Sequence, residues 1–206
     1  STGKTFTFSV IAAGDVGTDG AAVNGTFPVS GNTFTLAGVT DLGKLTITSV
    51  SPSAASTVDS GQTAHEIWRM QVAVLNQDVE IRKMRFTVVG SVSAGDLKNF
   101  ALWDGATQIG TTVAEMNTDK TVTIMPVTPY NLKTGVTKNI SLKADITAGT
   151  NRTFRATLQD GSDLSIYDRG YNIFLKHAGS DSFTVVQPNT GGTAVDWTVN
   201  TGRLTM

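Results

Sequence analysis

The chain has 206 residues, of which 39% are hydrophobic and only 16% charged, with a formal net charge of -1 and no cysteine. A charge balance without basic runs or acidic tails excludes a nucleic-acid partner and electrostatic attachment to a membrane, both of which need concentrated positive charge. Without cysteine there is no disulfide and no thiolate metal site, so a secreted protein of this kind is held together by core burial or by assembly.

The length suits one large domain, or one and a half smaller ones, with a real core. A typical soluble domain is roughly 25% charged. Here Thr, Ser, Asn and Gly stand where the missing charge would be, which favours strands and turns. The longest apolar runs fall far short of the roughly 18 residues that cross a bilayer, so no membrane span is expected. No signal peptide is visible, so a secreted chain would be a mature form. The missing apolar N-terminal helix argues against a type IV pilin or archaellin.

Along the chain, Phe6, Phe8 and Val10 alternate with Thr5, Thr7 and Ser9, the period-two pattern of a half-buried strand. Residues 14–20 read as a loop. Strands follow at 26–29 and 32–36, with Ser30-Gly31 as the turn between them. Gly43 opens a strand through Leu45 and Ile47, and Ser51-Pro52-Ser53-Ala54-Ala55-Ser56 reads as a linker. Trp68, Met70, Val72 and Val74 then share one face, Asn76-Gln77-Asp78 is a turn, and Val79 and Ile81 begin what reads as the paired return strand. Met84, Phe86 and Val88 continue on the opposite parity, which predicts a β-bulge near Arg82-Lys83. Arg82, Lys83 and Arg85 form a basic cluster, either a guarded sheet edge or a partner-binding patch.

After the connector at 93–97, Phe100 to Trp103 leads into Asp104-Gly105, a hairpin signal, and pairing resumes at Gln108-Ile109-Gly110. Asn117 to Lys120 is a turn before Val122 and Ile124. Pro126 and Pro129 mark an edge or crossing loop. Ile140, Leu142, Ala144 and Ile146 alternate cleanly. With strands recurring about every ten residues and no helical period, the fold class is all-β. The expected architecture is an antiparallel two-sheet β-sandwich, immunoglobulin-like or jelly-roll-like.

An internal repeat runs through this pattern. Thr2-Gly3-Lys4-Thr5-Phe6-Thr7-Phe8-Ser9-Val10 shares its frame with Thr150-Asn151-Arg152-Thr153-Phe154-Arg155-Ala156-Thr157-Leu158. Phe34-Thr35-Leu36 answers Phe183-Thr184-Val185, and Gly43-Lys44-Leu45-Thr46-Ile47 answers Gly202-Arg203-Leu204-Thr205-Met206. The chain is therefore phased as the partial unit 1–42 followed by the complete unit 43–206, which ends on the opening strand of a further repeat.

Chemistry is sparse. A catalytic triad needs a histidine base, and His65 and His177 both read as polar strand ends. No Gly-rich loop leads from a strand into a helix, so a phosphate cradle is not expected. Asp15 and Asp19, and in the second copy Asp160, Asp163 and Asp168, sit in loops that suit either turn chemistry or calcium, the single cofactor the residues suggest. Trp68 and Trp197 alternate with apolar neighbours and belong in the core. Trp103, beside a hairpin turn, is the candidate sugar platform. Asn24, Asn139 and Asn151 each begin an Asn-x-Ser/Thr acceptor triplet.

The Gly-(Lys/Arg)-Leu-Thr strand openings and the phrase Leu97-Lys98-Asn99-Phe100-Ala101-Leu102-Trp103-Asp104-Gly105-Ala106-Thr107-Gln108-Ile109-Gly110 resemble the extracellular immunoglobulin-like repeat domains of prokaryotic surface-layer, adhesin and filament-subunit proteins. The resemblance implies a cell-surface, non-enzymatic protein with a structural or adhesive role. Together with the repeat phasing it leads to the expectation of a subunit that polymerises head to tail with itself. Phe6, Phe8 and Val10 would form the donated strand, and Trp68, Met70 and Val72 the acceptor face. The alternatives are a monomeric stalk or adhesin domain and a carbohydrate-binding module with a surface glycan as partner.

Overall fold

In a computed structural model, residues 3–36, 38, 41–50, 57–177, 182–185 and 197–202 are described. The strands are β1 Thr5–Val10, β2 Val29–Thr35, β3 Lys44–Val50, β4 Thr57–Asp59, β5 His65–Leu75, β6 Val79–Gly90, β7 Leu97–Asp104, β8 Thr107–Glu115 and β9 Thr121–Ile124. They continue as β10 Tyr130–Leu132, β11 Thr137–Ile146, β12 Thr153–Thr157, β13 Leu164–Asp168, β14 Ile173–Phe174, β15 Lys176–His177, β16 Ser182–Val185 and β17 Trp197–Asn200. Among the described residues there is no α-helix, only the single 3-10 turns Ala13–Asp15, Ala94–Asp96 and Gly161–Asp163. The protein is all-β. It divides into two compact units, Ser1–Thr40 and Asp41–Met206.

The first unit is an antiparallel hairpin of β1 and β2, with Thr5 opposite Thr35 and Val10 opposite Val29. The expected turn at Ser30-Gly31 does not form. Both residues lie inside β2, where the register shifts opposite Thr7 to Ser9. A Cβ at residue 31 would stand 3.4 Å from the Phe8 carbonyl oxygen, so glycine suits the irregularity.

The second unit has two sheets, ordered β15-β16-β3-β5-β11-β7-β8 and β14-β13-β6-β12-β17-β4, with β9 and β10 also paired to β6. Strand β6 is 12 residues long and pairs with β10, β13, β9 and β12 at successive positions. The expected bulge is present. Ser165 faces Lys83 while Ile166 faces Ile81, so Arg82 is the extra residue. The buried set accordingly changes from Val79 and Ile81 to Met84, Phe86 and Val88. Most pairings are antiparallel, but β15–β16, β16–β3 and β17–β4 are parallel.

One expected pairing is overturned. β5 and β6 are not partners, because β5 lies between β3 and β11 while β6 belongs to the other sheet. Residues 76–78 carry the chain across the core, which lets the apolar faces of both strands bury against each other. Trp68 of β5 meets Phe86 of β6 edge to face at 5.0 Å. Each such large side chain contributes about 1.5–3 kcal/mol through burial. Both sheets feed one hydrophobic cluster, with Trp197, Phe86, Phe100 and Phe154 among its largest members. The linker at 51–56 and the repeat positions Thr2 and 203–206 lie outside the described residues.

Candidate interaction surface

The alternation of β1 gives the hairpin two unlike faces. On one, Thr7 and Thr33 share a hydroxyl hydrogen bond at 2.8 Å, and Ser9 and Ser30 share another at 2.9 Å. On the other, Phe6 stacks on Phe34 at 5.3 Å and meets Phe8 edge to face at 5.5 Å. That apolar face is open. Phe8 is 74% exposed, Phe34 51% and Phe6 42%, while Val10 is half-buried. Isolated exposed apolar residues are ordinary, but a contiguous group on a strand face marks an interaction surface.

The stretch whose sequence frame matches β1 is covered in the second unit. At an offset of 148 residues, Phe6, Phe8 and Val10 correspond to Phe154, Ala156 and Leu158, and all of these are buried. Phe154 stacks on Trp197 at 6.4 Å, and the Trp197 indole N–H donates to the Ile67 carbonyl at 3.1 Å. The correspondence continues beyond the strand. The amides of Ile11 and Ala12 donate to Asp15 Oδ2, both at 3.0 Å. Those of Gln159 and Asp160 donate to Asp163 Oδ2, both at 2.9 Å. Strand partners do not carry over. β2 pairs with β1, whereas β16, the site of Phe183-Thr184-Val185, pairs with β3 and β15.

A third turn of this kind lies in the expected connector. Ser93-Ala94-Gly95-Asp96-Leu97 folds like Ala12-Ala13-Gly14-Asp15-Val16 and Asp160-Gly161-Ser162-Asp163-Leu164, with Ser93 N–H donating to Asp96 Oδ2 at 2.7 Å. The shared signal is a small residue, then Asp, then an apolar residue. In the second unit an arginine also closes on each carboxylate. Arg85 Nε reaches Asp163 Oδ1 and Arg152 Nη1 reaches Asp96 Oδ2, both at 2.8 Å. Among the described residues no cation pairs with Asp15.

The same kind of bond holds other acidic loop residues. The oxygens of Asp163 are taken by two amides and Arg85. Those of Asp168 accept from Gly43, Gly170 and Tyr171 amides at 2.6, 2.7 and 3.0 Å. Asp160 caps its own turn through Ser162 N–H at 2.9 Å. Asp15 caps its turn likewise, and Asp19 is exposed. Among the described residues no three His, Cys, Asp or Glu side chains gather as a metal site. The carboxylates of these loops accept backbone N–H donors, the arrangement expected of turn capping.

Trp68, Met70 and Val72 are core, with Trp68 6% exposed and the other two fully buried by the chain itself. They form no open groove, which corrects the expected acceptor face. Trp197 is likewise core. Trp103 is half-buried, with Lys143 Nζ 4.5 Å above its ring, so that face is not a free sugar platform. The basic cluster is also engaged. Arg82 makes two bonds to Glu80, at 2.9 and 3.1 Å, and lies 3.5 Å over the Tyr167 ring. Asn24, Asn139 and Asn151 are all exposed. Burial beside Trp197 holds the His65 pKa below its ordinary value, against the pull of Glu66. The side chain of His177 lies outside the described residues.

No family model matches the chain, and a search of curated proteins finds no significant relative. The all-β fold and the geometry of the hairpin face are therefore the basis for a functional conclusion.

Proposed function

We propose that the chain is a structural, non-enzymatic subunit of an extracellular filament or surface array, polymerising head to tail with copies of itself through donation of β1. One observation carries this function: Phe6, Phe8 and Val10 repeat a face that is core in the second unit, yet Phe6 and Phe8 stand exposed. The outer edge of β1 has no partner strand among the described residues, so its amides and carbonyls form a template for another chain. The donated strand docks on an uncovered surface of the next subunit, because Trp68, Met70 and Val72 are already closed over. A head-to-tail contact of this kind does not close on itself and so extends into a fibre. A cysteine-free protein gains durability this way, since obligate interfaces bury about 2,000 Å² or more.

The test is the solution size of the purified chain by light scattering, with negative-stain microscopy of the same sample and of Phe6→Asp. Expected are long oligomers for the parent chain and monomers of unchanged circular dichroism for the variant. A monomeric parent chain would refute self-polymerisation and favour a stalk domain. Filaments of normal appearance from Phe6→Asp would refute β1 as the donor.

A further inference from the structure

A groove of about 450 Å³ lies in the second unit between β8, at residues 107–111, and the crossing segment 127–131. Its volume is within the range of small-ligand sites, roughly 300–1,000 Å³. Among the described residues no charged side chain lines it. The polar groups are the hydroxyls of Thr107, Thr111 and Thr128, the amides of Gln108 and Asn131, and the phenol of Tyr130. Val127, 82% exposed, stands with Pro129 and Ile109 as the apolar part of the wall.

The groove is preset. Tyr130 Oη donates to Asp104 Oδ2 at 2.6 Å, and Lys138 Nζ donates to the same oxygen at 2.9 Å. Tyr130 thus keeps one ring orientation and stays protonated, its pKa pushed well up by burial and by the Asp104 carboxylate. Asn131 Oδ1 is buried and has no hydrogen bond among the described residues. An orphaned amide oxygen costs about 1–3 kcal/mol, so the side chain gains by turning that oxygen to a hydroxyl donor in the groove.

Strand addition fits less well here. Gln108 Nε2 donates to the Gly110 carbonyl at 3.0 Å and to Thr112 Oγ1 at 3.1 Å, covering part of the β8 edge with the chain's own side chain. Gly110, at φ +79°, interrupts the extended backbone, and a Cβ there would lie 3.0 Å from Pro126 Cα. A neutral wall that alternates hydroxyl and amide groups with small apolar surfaces matches a ligand built the same way.

We infer that this groove is a binding site for a neutral saccharide, with Asn131 accepting from a sugar hydroxyl and Tyr130, Pro129 and Val127 packing on sugar C–H surfaces. The site is independent of self-assembly through β1. The test is an amide chemical-shift titration of the full chain with cellobiose, maltose, lactose and N,N′-diacetylchitobiose, with glucuronic acid and inorganic phosphate as charged probes. Expected are saturable shifts confined to residues 107–111 and 127–131 with at least one neutral disaccharide and none with the charged probes. Asn131→Leu, which removes the acceptor oxygen, should bind at least tenfold more weakly. Val127→Glu, at an exposed rim position that cannot disturb the core, should do the same. No saturable shift with any neutral disaccharide, equal shifts with the charged probes, or affinities unchanged in both variants would overturn the site. Saturable shifts along the whole of β8 with an added strand peptide, and none with sugars, would replace it with peptide capture.

Discussion

Asp163 and Asp15 make the same two backbone bonds in different surroundings, which turns the repeat into a measurable contrast. Asp163 is fully buried and also receives Arg85, whereas Asp15 is exposed. Asp163→Asn removes the charge that accepts from all three donors, and leaving buried N–H groups imperfectly paired costs about 1–3 kcal/mol. Asp15→Asn should produce a clearly smaller shift, because water satisfies the exposed amides. Urea midpoints of the two variants check this, and equal shifts would mean that burial and the Arg85 contact add nothing to the turn at Asp163. A second residue-scale effect is pH dependence. Burial depresses the pKa of His65, so the neutral imidazole is the form the fold favours. Its contribution is complete above the ordinary value of about 6.5 and is lost as pH falls from there through the depressed value. Stability should therefore begin to decline below about pH 6.5, and His65→Gln should flatten that part of the profile. Asp78 and Asp119 have carboxyls held low, Asp78 by Lys133 and the Thr134 amide, Asp119 by Thr121. Hydrogen bonds from Tyr130 and Lys138 lower Asp104 against the opposing cost of its burial. Their losses come later, as pH falls below the ordinary carboxylate range.

At the scale of elements, glycines at positive φ differ in how closely another strand approaches them. Gly90 has φ +137°, and an added Cβ would lie 2.2 Å from the Thr153 carbonyl oxygen, a backbone atom that cannot swing aside. Gly90→Ala therefore has to part β6 from β12 at the Phe154 pair, and should cost about 3 kcal/mol by combining strain with overpacking. Gly105→Ala, at φ +58° with nothing within 4 Å, should cost less. Thermal unfolding of both variants gives the comparison, and a larger loss at Gly105 would contradict the packing argument. The same strands show what the sequence could disclose. The parity change in β6 was legible because burial of Val79 and Ile81, then of Met84, Phe86 and Val88, follows from side-chain alternation alone. The partners of β6 were not legible. A strand buried on one face reads the same whether its neighbour in sequence lies beside it or across the core, and a short connection such as residues 76–78 serves both. The acidic loops stayed open between turn chemistry and a metal for a related reason. Asp before an apolar strand start is compatible with a metal ligand or an N–H acceptor, and only the direction of the carboxylate separates them. The face of β1 was legible as apolar, but its exposure depends on what covers it.

At the scale of the whole molecule, the issue is how much apolar surface the chain leaves for another copy. Phe6, Phe8, Val29, Phe34 and Leu36 of the hairpin are each at least 42% exposed. A monomer carrying that surface should bind the dye ANS, as exposed contiguous apolar patches do. Assembly removes the patch from water, so dye fluorescence should fall as protein concentration rises, in step with scattering. Binding that occurs only in the folded, assembled state also raises the unfolding midpoint with concentration. Phe8→Asp should abolish both trends while leaving the second unit folded, because the core cluster runs from Leu45 to Val199 and includes no residue of the hairpin. A parallel measurement on Phe154→Asp should instead unfold that unit, since Phe154 is 1% exposed against Trp197. The two substitutions occupy equivalent repeat positions or their immediate neighbours and differ in what covers them. If Phe8→Asp left dye binding and the concentration dependence unchanged, the exposed face of β1 would not be the surface through which copies meet.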